Sequence, residues 1–416
     1  MRDYVASVNP NWLQQLRNFD LPTHFTRAEG LKIWPAEGPP LWDMTAGFGS
    51  AIFGHAPQDL AQVLRTALLE REPNVLVYGV HPIAGTVARS LLDLAEGSLA
   101  KVHFCNDGSQ AIDTALKFSA ITTRRRQFIS IVGGFHGLSV GATALAGGGT
   151  WREGLPALGP YVRRVRHSDW ENLERLLHLG RTAAVVIEIV QGTGIAESWN
   201  SSELHRLQAL CRSTGTLIVV DEVLTGLGRT GRWFAHHDGG SEFRPDIVTV
   251  SKALAAGMLP MAAVLMTEPI YAATLGREGH SKTHGSTFSG YHFGLILANA
   301  VVRRLRSERV PTRVAKLGNI LEHRLTALSD EHLIHRASGR GLMQAFAAIP
   351  KTKAMSMQEA GMRCLNALRS RGWLVMPAAH AHGYLRVMPP LNIEPEHIND
   401  FADALEDSLR SALTWR

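Results

Sequence analysis

Leu217-Ile-Val-Val-Asp-Glu-Val-Leu-Thr-Gly226 runs four apolar residues into a carboxylate. Shortly after it, Pro245-Asp-Ile-Val-Thr-Val-Ser-Lys-Ala-Leu-Ala-Ala-Gly257 runs a similar segment into an amine, Lys252. Short continuous apolar, β-branched runs bounded by turn residues read as strands buried on both faces, the kind found in parallel sheets covered by helices. Working outward, 128–132, 183–190, 216–223, 247–250 and 262–266 repeat the pattern, with polar helical stretches at 171–177 and 202–213 between several of them. Upstream, 60–71 and 87–94 carry apolar residues at three- and four-residue spacing, and the region 60–116 reads as helices separated by turns. A helix at 293–307 leads into a C-terminal part with helices at 357–369 and 397–413 and short strands at 373–376 and 384–387. The expected fold is α/β, a mostly parallel central sheet with helices on both faces, plus a smaller α+β domain. The expected division is an N-terminal segment, 1–60, packing with the small domain; a large domain, 61–310; and a small domain, 311–416.

Bulk properties narrow the function classes. A chain of 416 residues with 45% hydrophobic and 19% charged residues has the composition of a globular enzyme. No apolar run approaches the roughly 20 residues that cross a bilayer, and the first ten residues lack the apolar core of a secretion signal. These features predict a cytoplasmic protein without a membrane partner. Cys105, Cys211 and Cys364 lie far apart with no CxxC pair, which argues against a disulfide framework and against zinc. A net charge of +6 raises the question of nucleic acid, but the basic residues are dispersed. Arg124-Arg-Arg126 reads as a solvated helix end, and Arg163, Arg164 and Arg166 lack the interleaved aromatics of a stacking platform, so no nucleic-acid partner is expected.

In a parallel sheet, ligands bind beyond the carboxyl ends of the strands, and Asp221, Lys252 and Glu188 all lie at or near such ends. Pyridoxal 5'-phosphate (PLP) needs an amine for its aldehyde, an anion for its ring nitrogen and a helix N-terminus for its phosphate. Asp221 closes a buried strand, where a carboxylate is costly unless paired, and a protonated pyridine is one such partner. A backbone hydrogen bond at a strand corner is the other. Lys252, followed by small residues, should lose charge preference through burial, although any single lysine can also lie along a surface. Asn106-Asp-Gly-Ser-Gln-Ala111 precedes a helical run, so Gly108 and Ser109 can cradle an anion or simply cap a helix. Gly133-Gly-Phe-His-Gly137 follows a strand, placing Phe135 to stack on a planar ring or to pack in the core. Val223 can pack on the opposite face of that ring. His136 reads as a hydrogen-bonding neighbour rather than the acid–base group. In His284-Gly-Ser-Thr-Phe-Ser-Gly290, Thr287 can donate to a phosphate or belong to a turn. Arg386, in Tyr384-Leu-Arg-Val-Met-Pro-Pro390, offers a fork for a substrate carboxylate or for a structural ion pair.

Taken together, these motifs resemble the class III (ω- or subgroup II) aminotransferases of PLP fold type I. The resemblance runs from Trp42-Asp-Met-Thr-Ala-Gly-Phe-Gly49 to Pro390, and its most specific element is Asp221-Glu-Val-Leu-Thr-Gly-Leu-Gly-Arg-Thr-Gly231 followed by Lys252. It implies that Lys252 holds the cofactor covalently, Asp221 pairs with the ring nitrogen, Gly108 and Ser109 hold the phosphate, and Phe135 stacks on the ring. It further implies a homodimer with Thr287 acting across subunits, and Arg386 binding a carboxylate with Glu188 nearby. The implied reaction is ping-pong transfer of an amino group, from an amine or amino acid donor to a keto acid or aldehyde acceptor. Departures fall on the substrate side. Thr193 stands where ornithine- and 4-aminobutyrate-type members carry a gating glutamate, Leu224 stands where they carry glutamine, and Glu188-Ile-Val-Gln191 replaces the usual Glu-Pro. The residues alone leave open an aminomutase, racemase or decarboxylase of the same fold, and an inactive binding protein on this scaffold.

Overall fold

The computed structural model describes residues 2–76, 78–148, 150–154, 161–335, 337–379 and 381–412. Among these, the central sheet has seven strands: β1 (Leu99–Cys105), β2 (Gln127–Ile131), β3 (Tyr161–Val165), β4 (Thr182–Ile187), β5 (Leu217–Asp221), β6 (Ile247–Val250) and β7 (Ala262–Thr267). Their order is β1-β7-β6-β5-β4-β2-β3. Five strands from β6 to β3 pair in parallel, while β7 runs antiparallel to both β6 and β1. Every residue of β2, β4 and β6 is buried. Alternation explains why such strands are apolar throughout. Val220 and Val248 enter the core on one face, and Val219 and Ile247 enter the core on the other.

Two expectations are corrected, for the region 60–116 and for Arg125. Leu99–Cys105, inside the region read as helical, is an edge strand paired only with β7. Its Lys101 is free to face solvent, where it meets Glu268 at 3.7 Å and the Tyr271 ring, so the apolar run that marks a buried strand is absent. The arginines at 163 and 164 lie on the opposite edge strand, where Arg164 donates to the Ala146 carbonyl at 2.9 Å. Nor is Arg125 a solvated helix end. It donates to the carbonyls of Thr182, Gly215 and Thr214 at 3.0, 3.0 and 2.9 Å, tying three loops together.

The N-terminal strands Phe25–Glu29, Lys32–Pro35 and Leu41–Asp43 form a sheet that Trp373–Leu374 joins in parallel. A second C-terminal sheet holds Ser338–Arg340, Met343–Ala347, Tyr384–Val387 and Met376–Pro377. Helices Val310–Asp330, Met357–Ser370 and Pro395–Ala412 accompany it. The last residue of the helix expected at 397–413 lies outside the described residues. Arg229, 1% exposed, pins these parts together. It donates to Leu342 O at 3.2 Å, to Pro389 O, and to Gly49 O at 3.4 Å, and burial lowers its pKa to about 9. Among the described residues no helix is long and apolar enough to cross a membrane.

Candidate active site

A cavity of about 330 Å³ opens beyond the carboxyl ends of β1, β2, β4, β5 and β6. Asp221, Lys252, Gly108, Ser109, Phe135, Val223 and Glu188 all line it. The parallel register is the cause: β5 and β6 end side by side, with Asp221 opposite Thr249, so the carboxylate and the amine meet on neighbouring strand ends.

Asp221 is 4% exposed. Its Oδ2 lies 2.8 Å from His136 Nδ1, and its Oδ1 accepts from Val223 N at 2.9 Å and from Thr249 Oγ1 at 3.4 Å. Burial by itself would lower the His136 pKa, but the hydrogen bond to Asp221 and the charges of Asp221 and Glu188 outweigh it, and the net direction is upward. His136 Nε2 is buried without a hydrogen-bond partner among the described residues, on a residue that lines the cavity. Lys252 opens the short turn Lys252–Ala255 after Ser251, whose hydroxyl donates to Met261 O at 2.9 Å. Burial lowers the Lys252 pKa; Asp221 and Glu188 oppose that shift, while Arg386 and Arg229 add to it. Glu222, next to Asp221, is not part of this cavity. Its carboxylate accepts from Ala235 N at 3.1 Å and His236 N at 2.8 Å.

At the other end of the cavity the helix Gly108–Thr123 begins. Asp107 caps it through Gln110 N at 3.0 Å, and the N–H groups of Gly108 and Ser109 have no carbonyl one turn earlier in the helix. A Cβ on Gly108 would stand 2.9 Å from Val223 Cγ1, so only glycine lets the helix start approach that wall. Phe135 contributes a ring whose other neighbour is Trp151, with centroids 4.5 Å apart. Glu188 accepts from Phe135 N and Gly192 N, each at 2.9 Å. Burial raises the Glu188 pKa, opposed by His136 and reinforced by Asp221.

Two expected residues stand outside the cavity wall. Thr287 is exposed in the loop before helix His292–Ser307, where neighbouring Ser286 accepts from Asn106 Nδ2 at 2.8 Å. Arg386 is 5% exposed on Tyr384–Val387. Its Nη1 donates to the Gly192 carbonyl and its Nη2 lies 2.8 Å from Met376 Sδ, while Nε has no partner among the described residues. Leu224 lines the cavity, packed so tightly that a Cβ on Gly192 or Gly49 would come within 2.4 or 2.5 Å of it. The role of Gly192 and the packing of Trp151 on Phe135 were not legible in the sequence. The Asp221–His136 pair had a signal, a histidine beside a glycine turn at a neighbouring strand end.

The donor set fits PLP: an amine, a buried carboxylate and an open helix start face one cavity, and one lining residue, His136, carries an imidazole nitrogen unpartnered among the described residues. Residues 15–409 match the model of the aminotransferase class-III family. The chain belongs to that family. This class-III aminotransferase is 30% identical over 342 residues to aminotransferase PigE of a Serratia species, an alignment spanning 82% of this chain but 40% of that longer protein. With the acetylornithine aminotransferase of Mycolicibacterium smegmatis it shares 31% identity over 396 residues, 94% of each chain. The PLP-bound amine transaminase of an uncultivated Pseudomonas species superposes with a TM-score of 0.85 at 26% identity, over 94% of this chain and 95% of that one. The fold expected from the strands is the fold of that family, and the cofactor of this aminotransferase is PLP.

Proposed function

We propose that this aminotransferase moves an amino group from a primary amine or amino acid, with the amine at a chain terminus, to a keto acid or aldehyde by a ping-pong mechanism. The reading rests on one observation: Lys252, the Asp221–His136 pair and the start of helix Gly108–Thr123 converge on a single cavity. The relative named for acetylornithine belongs to the same donor class.

When bound, PLP supplies an electrophilic carbonyl and an electron-withdrawing ring. The chain supplies the rest. Lys252 Nζ, its pKa lowered by burial, is the base that takes the donor's proton and returns it. Asp221, held by three donors, keeps a fixed anion at the strand end. The N–H groups of Gly108 and Ser109, with the Ser109 hydroxyl, hold the phosphate. Phe135 and Val223 fix the ring plane, and Leu224 and Phe135 line the path with apolar surface that excludes water. Arg386 reads an acceptor carboxylate by exchanging two neutral acceptors, Gly192 O and Met376 Sδ, for a charged one. Glu188, fixed to Phe135 N and Gly192 N, lines the same cavity and acts electrostatically on Arg386.

The proposal includes a homodimer, with Thr287 of the partner subunit completing the phosphate end; in its own chain Thr287 is exposed and off the cavity. It keeps the three-part division at 60 and 310, and a cytoplasmic location, which three unpaired buried cysteines suit. The test is stoichiometric. Amine alone should release one carbonyl product per chain and then stop, and added keto acid should restore turnover. Sustained product formation without a keto acid would refute the reading in favour of an aminomutase, racemase or decarboxylase.

A further inference from the structure

One buried carboxylate holds two backbone amides that serve different parts of the site. Glu188, 7% exposed, follows strand β4 directly and lines the cavity together with Phe135 and Gly192. Its Oε2 accepts from Phe135 N and its Oε1 from Gly192 N, each at 2.9 Å. The Gly192 carbonyl in turn accepts from Arg386 Nη1. Phe135, Glu188, Gly192 and Arg386 thus form one unbroken chain of hydrogen bonds, from the ring-facing aromatic to the guanidinium. Glu188, Gly192 and Arg386 are all buried. Moving one of them alone would leave a buried polar partner unpaired, which is costly, so the links favour moving together.

Packing leaves these groups little room to respond independently. A Cβ on Gly192 would stand 2.4 Å from Leu224 Cδ2 and 3.2 Å from Glu188 Oε1. One on Gly134, next to Phe135, would stand 3.5 Å from Glu188 Oε2 and 3.1 Å from the Ile131 carbonyl. Glycine at both positions lets the carboxylate approach the backbone on either side. Gln191 braces the same turn, its Nε2 donating to the Val132 carbonyl at 2.9 Å. Arg386, by contrast, is held by two neutral acceptors, Gly192 O and Met376 Sδ. Met376 belongs to one apolar cluster with Leu224, Met343 and Met388. A guanidinium binds a carboxylate more strongly than either neutral acceptor, and methionine side chains repack readily. Arg386 is therefore the link that opens.

Resting on the reading of Arg386 as the site of the acceptor carboxylate, we propose that Glu188 is a positioning residue that couples occupancy of Arg386 to the pose of Phe135 against the cofactor ring. When Arg386 turns to a bound carboxylate, Gly192 O loses its charged donor. The Gly192 peptide resettles, and its N–H carries Glu188 Oε1 with it. Glu188 Oε2 passes the shift to Phe135 N. No covalent bond forms or breaks and no proton is transferred; only hydrogen-bond partners change. The coupling is reciprocal, so the pose of Phe135 also sets how readily Arg386 is released.

The test is visible circular dichroism of the PLP-loaded enzyme, titrated with glutarate, a dicarboxylate with no keto group to react. Saturable binding and a change in the ellipticity of the cofactor band are expected, and both should be lost in Arg386→Met. Glu188→Gln offers one acceptor oxygen for the two amides. Glu188→Asp keeps the charge but draws its oxygens back by one methylene. Both variants should still bind glutarate yet lose the ellipticity change. Thr193→Val, which removes a hydroxyl with no hydrogen-bond partner among the described residues, should keep it. An ellipticity change that survives in either Glu188 variant comes from the charge of glutarate itself and overturns the proposal. So does glutarate binding that leaves the native band unaltered. No glutarate binding to the native enzyme, or binding indifferent to Arg386→Met, overturns the Arg386 reading and the coupling with it.

Discussion

Replacing Asp221 with asparagine keeps the shape of the side chain and removes its charge. The Oδ1 that accepts from Val223 N at 2.9 Å is retained, so the strand corner should persist. What is lost is the anion facing the cavity and the partner 2.8 Å from His136 Nδ1. At an effective dielectric of about 20, unit charges about 4 Å apart attract by about 4 kcal/mol. At about 1.4 kcal/mol per decade of rate, full loss corresponds to roughly a thousandfold, and to about a hundredfold where the surroundings relax. The half-reaction of the PLP-loaded variant with a primary amine, followed by stopped-flow absorbance of the cofactor band, is therefore expected to slow by two to three decades (~10²–10³). Because Asp221 raises the His136 pKa, the variant's histidine should also titrate at lower pH. A variant that retains cofactor and reacts within about threefold of the unaltered enzyme would refute the electrostatic reasoning.

Other substitutions separate the remaining roles. Lys252→Ala should abolish turnover while the protein stays folded, and borohydride treatment should then leave no pyridoxyl label on the peptide around position 252. Arg386→Met should raise KM for a keto acid by about tenfold or more while leaving the half-reaction of an amine lacking a carboxylate nearly unchanged; equal loss for both substrates would contradict the assignment. Gly192→Ala places a methyl 2.4 Å from Leu224 Cδ2 and should lower stability by about 1–3 kcal/mol, read as a fall in Tm. His136 also couples folding to pH. Its folded pKa lies above its unfolded value, so its proton stabilises the fold fully below about 6.5, and that benefit is lost as pH rises through the folded value. In cofactor-free protein, the Tm advantage of the native residue over His136→Asn should shrink as pH rises from about 6 to about 9, and a widening gap would reverse the argument.

The parts of the molecule legible in sequence were those where burial is complete and local. β4 and β6 could be read because both faces are covered, which forces every residue to be apolar. Asp221 and Lys252 stood out because charged groups at the ends of such strands are costly without a partner. Half-exposed elements left no such mark: β1 carries Lys101 and His103 because it has one neighbour strand. Long-range pairings were equally silent. Arg386 and Gly192 lie 194 residues apart, and the approach of Trp151 to Phe135 follows from how loops settle on the sheet.

Arg229 has a consequence for how the chain can be divided. Its guanidinium is buried and, among the described residues, is held by carbonyl oxygens contributed by positions 49, 342 and 389. A fragment ending at 310 would strand that cation with one weak acceptor. Leaving a buried charge uncompensated costs about 3–5 kcal/mol, a large share of the roughly 5–15 kcal/mol by which a folded protein survives. Any truncation meant to isolate the PLP-binding half must therefore replace Arg229 as well.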